Sequence, residues 1–391
     1  MKFELPIRTV AVASLFLGVT AAADWPMFRG DPQGTGVAHT ALPEKLSVRW
    51  KAELGEPIVS TAAIVDRVVY VGADDEALHV FDLHSGKELW KYSANGAVRA
   101  APTVLGNAIY FGDQDGVLHA VDARTQRAKW TFKTEGEIVS SVNHHEGRLV
   151  FGSYDAHVYC LSADEGKLLW KFQTGGRIHG TPGIQGDAVI AAGCDEYLHV
   201  LSLENGSSIA RVTMGSVSGA SAAIQGHKVF VGTHGNAFLG LDWKKGAIDW
   251  RFEDADRQFP FLSSAAVTEQ GVFLGGRDKR LRGLDPKSGK EQWAFATDGR
   301  IDSSPVVVGS RVFVGSADGN VYALNASNGR EVWRYETGAP ISASPAVANE
   351  SLVIGNDDGV LYCFGPGGAS AERHDGPESN PNDNERGKRG E

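Results

Sequence analysis

Three arginines and a histidine occupy positions in this chain from which they could bind an anion together. Arg99, Arg177 and Arg300 each precede, by two or four residues, a small residue that recurs about every forty residues. His179 stands in the same relation to that repeat. A guanidinium group offers a rigid fork of N–H donors that matches the oxygens of a carboxylate or a phosphate. If the fold brings these side chains together, the chemistry that they support is anion capture.

An internal repeat sets the spacing of these residues. A short apolar segment ends in a small residue at eight places, forty residues apart with one step of forty-three: Gly72, Gly112, Gly152, Ala192, Gly232, Gly275, Gly315 and Gly355. A tryptophan series has the same steps, with Ala210 where one tryptophan is due: Trp50, Trp90, Trp130, Trp170, Trp250, Trp293 and Trp333. A fixed period of this length is the sequence signature of a repeat architecture.

Each repeat predicts four short antiparallel strands, which is the content of one propeller blade. In the seventh repeat, alternating apolar and polar residues predict strands at about 303–308, 311–315, 320–324 and 331–336. Trp50 belongs to a fourth strand that no first three strands precede, and residues 344–364 supply three strands without a fourth. We therefore predict an all-β, eight-bladed β-propeller of four-stranded antiparallel blades. Its ring closes because N- and C-terminal strands share one blade, which also removes an exposed sheet edge.

Closure of the ring would gather the side chains that precede the innermost strands at one end of the central channel. The hairpins beside them and the three-residue insertion, within residues 253–260, would join the same rim. We call this predicted group the funnel mouth: Arg99, Glu137, Tyr154, Arg177, His179, His234, Arg257, Phe259, Arg277, Arg300 and Asp302. It predicts a site for a protein partner or a small anionic ligand, with Phe259 and Phe261 as candidate aromatic contacts. The alternative is a solvated rim whose charges pair with one another.

No catalytic or metal-binding constellation emerges from the sequence. His79, His119 and His199 occupy a repeat position that elsewhere holds tyrosine, which indicates amphipathic strand residues rather than metal ligands. An aspartate recurs at the second hairpin of most repeats, and aspartate favours tight turns. Asp254 and Asp256 form an acidic pair on the insertion without a partner histidine. The sequence has no phosphate-binding glycine loop, nucleophile elbow or zinc spacing, so we predict no catalytic and no metal-binding residues.

The two ends of the chain differ from the repeats. Lys2 and Arg8 precede an apolar run, and three alanines end at Ala23, which predicts a secretory signal peptide cleaved after Ala23. No cysteine lies near this point, so we expect no lipid anchor. The predicted organisation is a signal peptide at 1–23, a lead-in at 24–45, the propeller at 46–364 and a disordered polar tail at 365–391.

Composition restricts the partners and the compartment. The net charge is −10 and no basic stripe recurs along one face, which disfavours nucleic-acid binding. The N-terminal apolar run is too short for a transmembrane span. Cys160, Cys194 and Cys363 lie in different repeats and indicate buried free thiols, with one disulfide at most as the alternative. We expect a monomeric periplasmic or secreted protein.

The repeat units resemble those of the pyrroloquinoline-quinone (PQQ) propeller family, as in SSPVVVGSRVFVGSADGNVYALNASNGREVWRYETG at residues 303–338. The opening DWPMFRGDPQGTGV, at residues 24–37, resembles the lead-in of secreted bacterial members. Eight blades behind a signal peptide are similar to the BamB family of outer-membrane assembly lipoproteins. This chain departs from that family because it lacks the cysteine that carries the lipid.

The resemblance implies three alternative functions. A BamB-like protein is a non-catalytic scaffold that docks a protein partner and needs no cofactor. A quinoprotein dehydrogenase uses PQQ with a bound calcium ion, a catalytic aspartate and a disulfide between adjacent cysteines, and this chain has neither adjacent cysteines nor long insertions. A ligand-binding sensor propeller is the third. We favour the scaffold, with PQQ as a cofactor only under the second alternative.

Overall fold

A computed structural model describes residues 24–366 of the chain. These residues form eight β-sheets around a central channel, and no helix occurs among them. The prediction of an all-β propeller with eight blades is confirmed. The predicted signal peptide and residues 367–391 of the predicted tail lie outside the described residues.

Blades one to four follow one another along the chain, and each places its first strand innermost. Blade one contains β3 (Ala63–Val65), β4 (Val68–Ala73), β5 (Ala77–Asp82) and β6 (Glu88–Ser93). Blade two contains β7 (Thr103–Leu105), β8 (Ala108–Gly112), β9 (Val117–Asp122) and β10 (Arg127–Lys133). Blade three contains β11 (Asn143–His145), β12 (Arg148–Ser153), β13 (His157–Ser162) and β14 (Leu168–Gln173). Blade four contains β15 (Gly183–Gln185), β16 (Ala188–Ala192), β17 (Tyr197–Ser202) and β18 (Ser208–Thr213).

Blades five to seven continue this arrangement. Blade five contains β19 (Ala223–Gln225), β20 (Lys228–Gly232), β21 (Ala237–Asp242) and β22 (Ala247–Glu253). Blade six contains β23 (Ala266–Val267), β24 (Val272–Gly276), β25 (Arg280–Leu284) and β26 (Glu291–Ala296). Blade seven contains β27 (Val306–Val308), β28 (Arg311–Gly315), β29 (Asn320–Asn325) and β30 (Glu331–Glu336), with β1 (Val37–Ala38) added in parallel to β27.

Blade eight is built from both ends of the described chain. It contains β31 (Ala346–Ala348), β32 (Ser351–Gly355) and β33 (Val360–Gly365), and β2 (Ser47–Glu53) completes it as the outermost strand. Trp50 lies opposite Cys363 in the antiparallel pairing of β2 with β33. The predicted closure of the ring is therefore confirmed.

Residues 24–38, which we call the strap, run along the inner edges of the blades inside the channel. The strap makes backbone hydrogen bonds of 2.8–2.9 Å to six innermost strands: Trp25 with Ile64, Pro26 with Val104, Pro32 with Ile184, Gln33 with Ile224, Thr35 with Val267, and Gly36 with Val307. In blade three the Asn143 side chain donates to Pro32 instead. The sequence predicted a lead-in here without predicting that it enters the channel.

The strap and the funnel mouth lie at opposite ends of the channel. Asp24 accepts a hydrogen bond from the backbone N–H of Asp66, in the turn that follows β3. The mouth positions precede the innermost strands, so they lie at the other end of those strands. β33 ends at Gly365, beside Ser47. Both ends of the described chain therefore leave the propeller on the strap side, and the mouth stays free of them.

Arg29 is the centre of the strap. It is 1% exposed, and its guanidinium donates to the carbonyl oxygens of Ser304 at 3.2 Å, Ala265 at 2.9 Å and Pro305 at 2.6 Å. Burial lowers the pKa of Arg29, because removal from water disfavours the charged form. Gly36 lies against the guanidinium, where a side chain would overlap it. One residue of the strap thereby joins blades six and seven.

Tryptophans on the outer strands dock six of the eight blades onto the next. The indole N–H of Trp50 donates to the Leu83 carbonyl at 2.9 Å, and others make the equivalent bond: Trp130 to Ala163, Trp170 to Leu203, Trp250 to Pro286, Trp293 to Ala326, and Trp333 to Leu46. Gly86, with a positive φ, packs on the Trp50 ring where a Cβ would overlap it. Beside Ala210, the corresponding Gly246 has no atom within 4 Å of its Cβ position. The anchor is therefore absent from that blade junction.

The small residues of the innermost strands form a hydrogen-bonded chain around the channel. Each backbone N–H donates to the hydroxyl of the equivalent residue in the next blade: Ala101 to Ser141, Ser141 to Thr181, Thr181 to Ser221, Ser221 to Ser264, Ser264 to Ser304, and Ser304 to Ser344. The sequence indicated only that small residues are needed at this position. The structure shows that their hydroxyl groups also join neighbouring blades.

Candidate functional site: the funnel mouth

The rim of the mouth combines two sets of residues, one preceding the innermost strands and one at the hairpin of the neighbouring blade. Arg99 belongs to the first set, and its Nε and Nη2 atoms donate to the two carboxylate oxygens of Asp74 at 2.9 and 2.7 Å. This bonding raises the pKa of Arg99, with smaller contributions from Glu137 and Tyr154. Arg99 is therefore paired within the rim, as the alternative prediction of a rim with internally paired charges has it.

A second ionic group lies across the mouth on blades six to eight. Arg277 donates to both oxygens of Asp302 at 2.8 and 3.0 Å, and Arg300 donates through Nε to the same carboxylate at 3.0 Å. Asp357 follows in blade eight and accepts the Ser342 hydroxyl at 2.9 Å. Partial burial raises the pKa of Asp357, although hydrogen bonds from Ser342 and the charge of Arg300 oppose the shift. Two arginines thus share one carboxylate.

Arg177 differs from the other two arginines. Its guanidinium carbon lies 4.9 Å from the centre of the Tyr154 ring, and no carboxylate within residues 24–366 forms an ion pair with it. The neighbouring Cys194 side chain raises the pKa of Arg177, with smaller contributions from Tyr154 and Glu137. Stacking on an aromatic face leaves the N–H fork of an arginine free at its edge. Arg177 is therefore the mouth arginine best placed to bind an incoming anion.

Tyr154, His179 and His234 form the polar wall beside Arg177. The Tyr154 hydroxyl lies 2.6 Å from Nδ1 of His179. Gly219 leaves the space between the two imidazoles, because a Cβ there would lie 3.3 Å from Nε2 of His234. Desolvation lowers the pKa of His179, with the charges of Arg177 and His234 adding to the shift. Desolvation also lowers the pKa of His234, helped by Arg277 and Arg177. The wall is thus uncharged near neutral pH.

The insertion places one aromatic side chain on the surface and buries the other. Phe259 is 48% exposed, and its backbone N–H donates to the Asn236 side chain at 3.2 Å. Phe261 is 1% exposed and packs in the core of blades five and six, so the expectation that it contacts a partner is wrong. Arg257 donates to the Asp278 carbonyl at 3.4 Å. Asp254, one member of the acidic pair on the insertion, accepts a hydrogen bond from buried Arg282 at 2.7 Å.

Three functional residues of the rim escaped the sequence analysis. Asp74, Cys194 and Asp357 share the hairpin position of Tyr154, His234 and Arg277 in a repeat whose step is forty or forty-three residues. The repeat phase that identified the second three could have identified the first three. The repeat phase does not predict which of these residues form ion pairs, because the partners lie in different blades. Asp74 belongs to blade one and its partner Arg99 to blade two.

The hairpin aspartates do more than form turns. Five of them hold a side chain four residues later: Asp75 with His79, Asp155 with Tyr159, Asp195 with His199, Asp278 with Arg282, and Asp318 with Tyr322. In Asp155, Asp195 and Asp318 one oxygen also accepts a backbone N–H from the preceding blade, as Asp195 does from Gly175 at 2.9 Å. We call this arrangement the latch. The histidines interpreted as amphipathic are 3–5% exposed, and each bonds to a carboxylate of its own blade.

The three cysteines are free thiols in three blades. Burial raises the pKa of Cys160 and of Cys363 to about 12. Cys194 is partly exposed at the mouth, so the expectation that all three are buried is wrong for it. Within residues 24–366, no three His, Cys, Asp or Glu side chains stand close enough together to bind a metal ion. The same residues contain no helix of the length and apolarity needed to cross a bilayer.

We expect the lowered pKa of His179 to make stability depend on pH. Where the folded-state pKa lies below that of the unfolded chain, the unfolded chain binds more protons. The free energy of unfolding should therefore fall as the pH drops below about 6.5, the ordinary histidine pKa. Urea unfolding on both sides of this pH should show a smaller decrease for His179→Gln than for the wild type. A decrease that is the same in His179→Gln as in an exposed control, His84→Gln, would contradict the assignment.

The fold and the rim define an eight-bladed propeller of PQQ-type repeats with a polar mouth. The sequence matches the profile of the family described as outer membrane protein assembly factor BamB over residues 43–145, 136–251 and 277–367. Because these segments cover most of the chain, the protein belongs to this family. No curated protein sequence matches the chain significantly.

Solved structures with this fold include proteins of different function. BamB from Moraxella catarrhalis is 18% identical, with a TM-score of 0.71 over 82% of this chain and 100% of that one. Quinohemoprotein alcohol dehydrogenase from Comamonas testosteroni is 15% identical, with a TM-score of 0.77 over 89% of this chain and 81% of that one. A computationally designed protein is 16% identical, with a TM-score of 0.72 over 85% and 99% of the two chains. At these identities the likeness establishes the fold alone.

The residues of the mouth do not match the calcium and quinone site that the dehydrogenase resemblance implies. Asp302 is the one aspartate among the predicted mouth residues, and both of its oxygens bond to arginines. A carboxylate held in this way is a poor ligand for calcium, which requires several free oxygens. The three cysteines lie in different blades, so they supply no disulfide between neighbours.

Proposed function

We propose that this protein is a non-catalytic scaffold of the exported compartment that binds a protein partner at the funnel mouth. Membership of a family described as an outer membrane assembly factor supports a role in protein interaction. We further propose that residues 1–23 direct export and are removed after Ala23, which leaves the strap as the start of the mature chain. Both ends of the described chain leave on the strap side, so the mouth is available to a partner.

The unpaired state of the Arg177 guanidinium at the mouth is the main observation that supports this proposal. Its guanidinium is stacked on Tyr154 without a carboxylate partner in residues 24–366, whereas Arg99 and Arg300 are already paired. An acidic side chain of a partner would find in Arg177 a donor that needs no internal bond to be broken. Phe259, 48% exposed on the insertion, supplies an apolar contact near the rim. An acidic segment that carries an apolar residue is the partner chemistry that fits.

The Arg177→Ala variant should bind the partner more weakly than the wild type. A charge-assisted hydrogen bond contributes about 1.5–3 kcal/mol to such a complex, which corresponds to about ten- to a hundredfold in affinity. The fold should be unaffected, because surface ionic contacts contribute about 0–1 kcal/mol. Pull-down from periplasmic extract, followed by titration with the protein recovered, measures the difference.

Arg334→Ala provides the matched control. Arg334 is an exposed arginine on the outer strand of blade seven, away from the mouth, and it should retain the wild-type partner set. Equal retention by the wild type, by Arg177→Ala and by the triple variant with Arg99→Ala and Arg300→Ala would contradict the mouth as the binding surface. Dye reduction by the purified protein that requires both PQQ and calcium would contradict the non-catalytic role.

A further inference from the structure

In two blades a glutamate completes the latch. His79 bonds through Nε2 to Asp75, and its Nδ1 lies 2.8 Å from the carboxylate of Glu88 on the outer strand of blade one. In blade six, Arg282 bonds to Asp278 and donates through Nε to Glu291 at 2.9 Å. The two glutamates occupy the same position of the repeat. The latch side chain is therefore held between two carboxylates in both blades.

Blade four has the same latch without the glutamate. Nε2 of His199 lies 2.8 Å from Asp195, but Ser208 stands where blades one and six carry glutamate. His199 is 4% exposed, and its Nδ1 has no hydrogen-bond partner among the described residues. A buried polar atom without a hydrogen-bond partner destabilises the fold. Comparison with blades one and six therefore indicates that a carboxylate is missing beside this nitrogen.

A crevice on the mouth side of blades three and four opens at this place. Phe172, Tyr197, Ser208 and Arg211 line it together with His199. Arg211 is exposed, and its guanidinium carbon lies 4.3 Å from the centre of the Tyr197 ring. Its long side chain can move without any change in the strands. A positive charge and a buried imidazole nitrogen are therefore available to one small acceptor group.

We propose that this crevice binds an aliphatic carboxylate, which takes the position that the side chains of Glu88 and Glu291 take in blades one and six. With Nε2 of His199 bonded to Asp195, the bound carboxylate lies against Nδ1, as the carboxylate of Glu88 lies against Nδ1 of His79. Arg211 supplies the second donor. The carboxylate belongs either to a free small acid or to an acidic side chain of a polypeptide.

Titration calorimetry with glutarate tests this site, with the neutral analogue glutaramide as the control ligand. The wild type should bind glutarate saturably and glutaramide not at all. His199→Tyr introduces the residue that blades three and seven carry in their latches, so the fold should tolerate it. It removes the imidazole nitrogen, and binding should weaken at least about tenfold.

Ser208→Glu is the second variant, because it restores within the chain the carboxylate that blades one and six possess. It should abolish glutarate binding and raise the melting temperature, and this result does not depend on whether His199→Tyr folds well. Absence of saturable glutarate binding to the wild type, or equal binding to the wild type and to Ser208→Glu, would overturn the proposal.

A peptide arm distinguishes the source of the carboxylate. The blocked peptide acetyl-Gly-Glu-Gly-amide presents the same group on a polypeptide. Tighter binding of this peptide than of glutarate, lost in Ser208→Glu, assigns the crevice to an acidic side chain of a protein. Tighter binding of glutarate, lost in the same variant, assigns it to a free acid. Binding of either ligand that persists in both variants contradicts the proposed place.

Discussion

Trp50→Ala should lower the free energy of unfolding by about 3–5 kcal/mol, the range measured for removal of a large buried aromatic side chain. Trp50 is 9% exposed, packs on Gly86 and donates its indole N–H to Leu83 at 2.9 Å. It stands on the strand that closes the ring and docks that blade onto blade one. One substitution therefore weakens both the shared blade and the junction beside it. Urea unfolding followed by tryptophan fluorescence and circular dichroism measures the loss.

Trp90→Ala is the matched control for this prediction. Trp90 has the same position in blade one, but it is only partly buried, and Gln126 replaces the glycine that packs on Trp50. No indole hydrogen bond of Trp90 occurs within the described part of the chain, so the loss of stability should be smaller. Removal of residues 24–54 is the stronger test, because it leaves the edge of β33 unpaired and should cause self-association. A monomeric truncated protein with an unchanged melting temperature would show that the ring does not depend on this strand.

Arg29→Met should lower the free energy of unfolding by about 3 kcal/mol or more, since each buried acceptor left without a donor costs about 1–3 kcal/mol. Three carbonyl groups of blades six and seven receive the guanidinium, and a methionine side chain offers them no donor. Methionine removes the cost of burying a charge. The lowered pKa of Arg29 reflects this cost. The carbonyls belong to the backbone, however, and cannot be exchanged for apolar groups. The hydrogen bonds that these carbonyls lose therefore outweigh the relief, and Arg29→Met should be less stable than the wild type.

Arg124→Met provides the comparison, because Arg124 is exposed on the loop between β9 and β10 and its loss should change stability little. Thermal unfolding of the two variants measures the difference. Limited proteolysis should cut the strap faster in Arg29→Met than in Arg124→Met, while partner binding at the opposite end of the channel persists. Equal melting temperatures for the two variants would show that Arg29 does not hold the strap.

The sequence determined the architecture because a propeller repeats its information in every blade. The spacing of the glycines and tryptophans predicted the number of blades. No first three strands precede Trp50, which predicted that one blade is shared between the two ends. The pairing of Trp50 with Cys363 confirms this. The residues at the rim were also predictable, because equal repeat phase places side chains at equal height on the ring. Phe261 was placed wrongly because it was grouped with the insertion beside it, whereas its repeat position is that of the buried residues Ile301 and Ile341.

Contacts between blades were decided only by the tertiary structure. Arg99 meets Asp74 twenty-five residues earlier, and Arg29 meets Ser304 across 275 residues, separations that no local pattern encodes. The sequence showed that arginines gather at the mouth, but not that Arg99 and Arg300 are paired while Arg177 stacks on Tyr154. The physical reason is that the repeat phase fixes the height and facing of a side chain, whereas its partner depends on which group the next blade presents at the distance of a hydrogen bond.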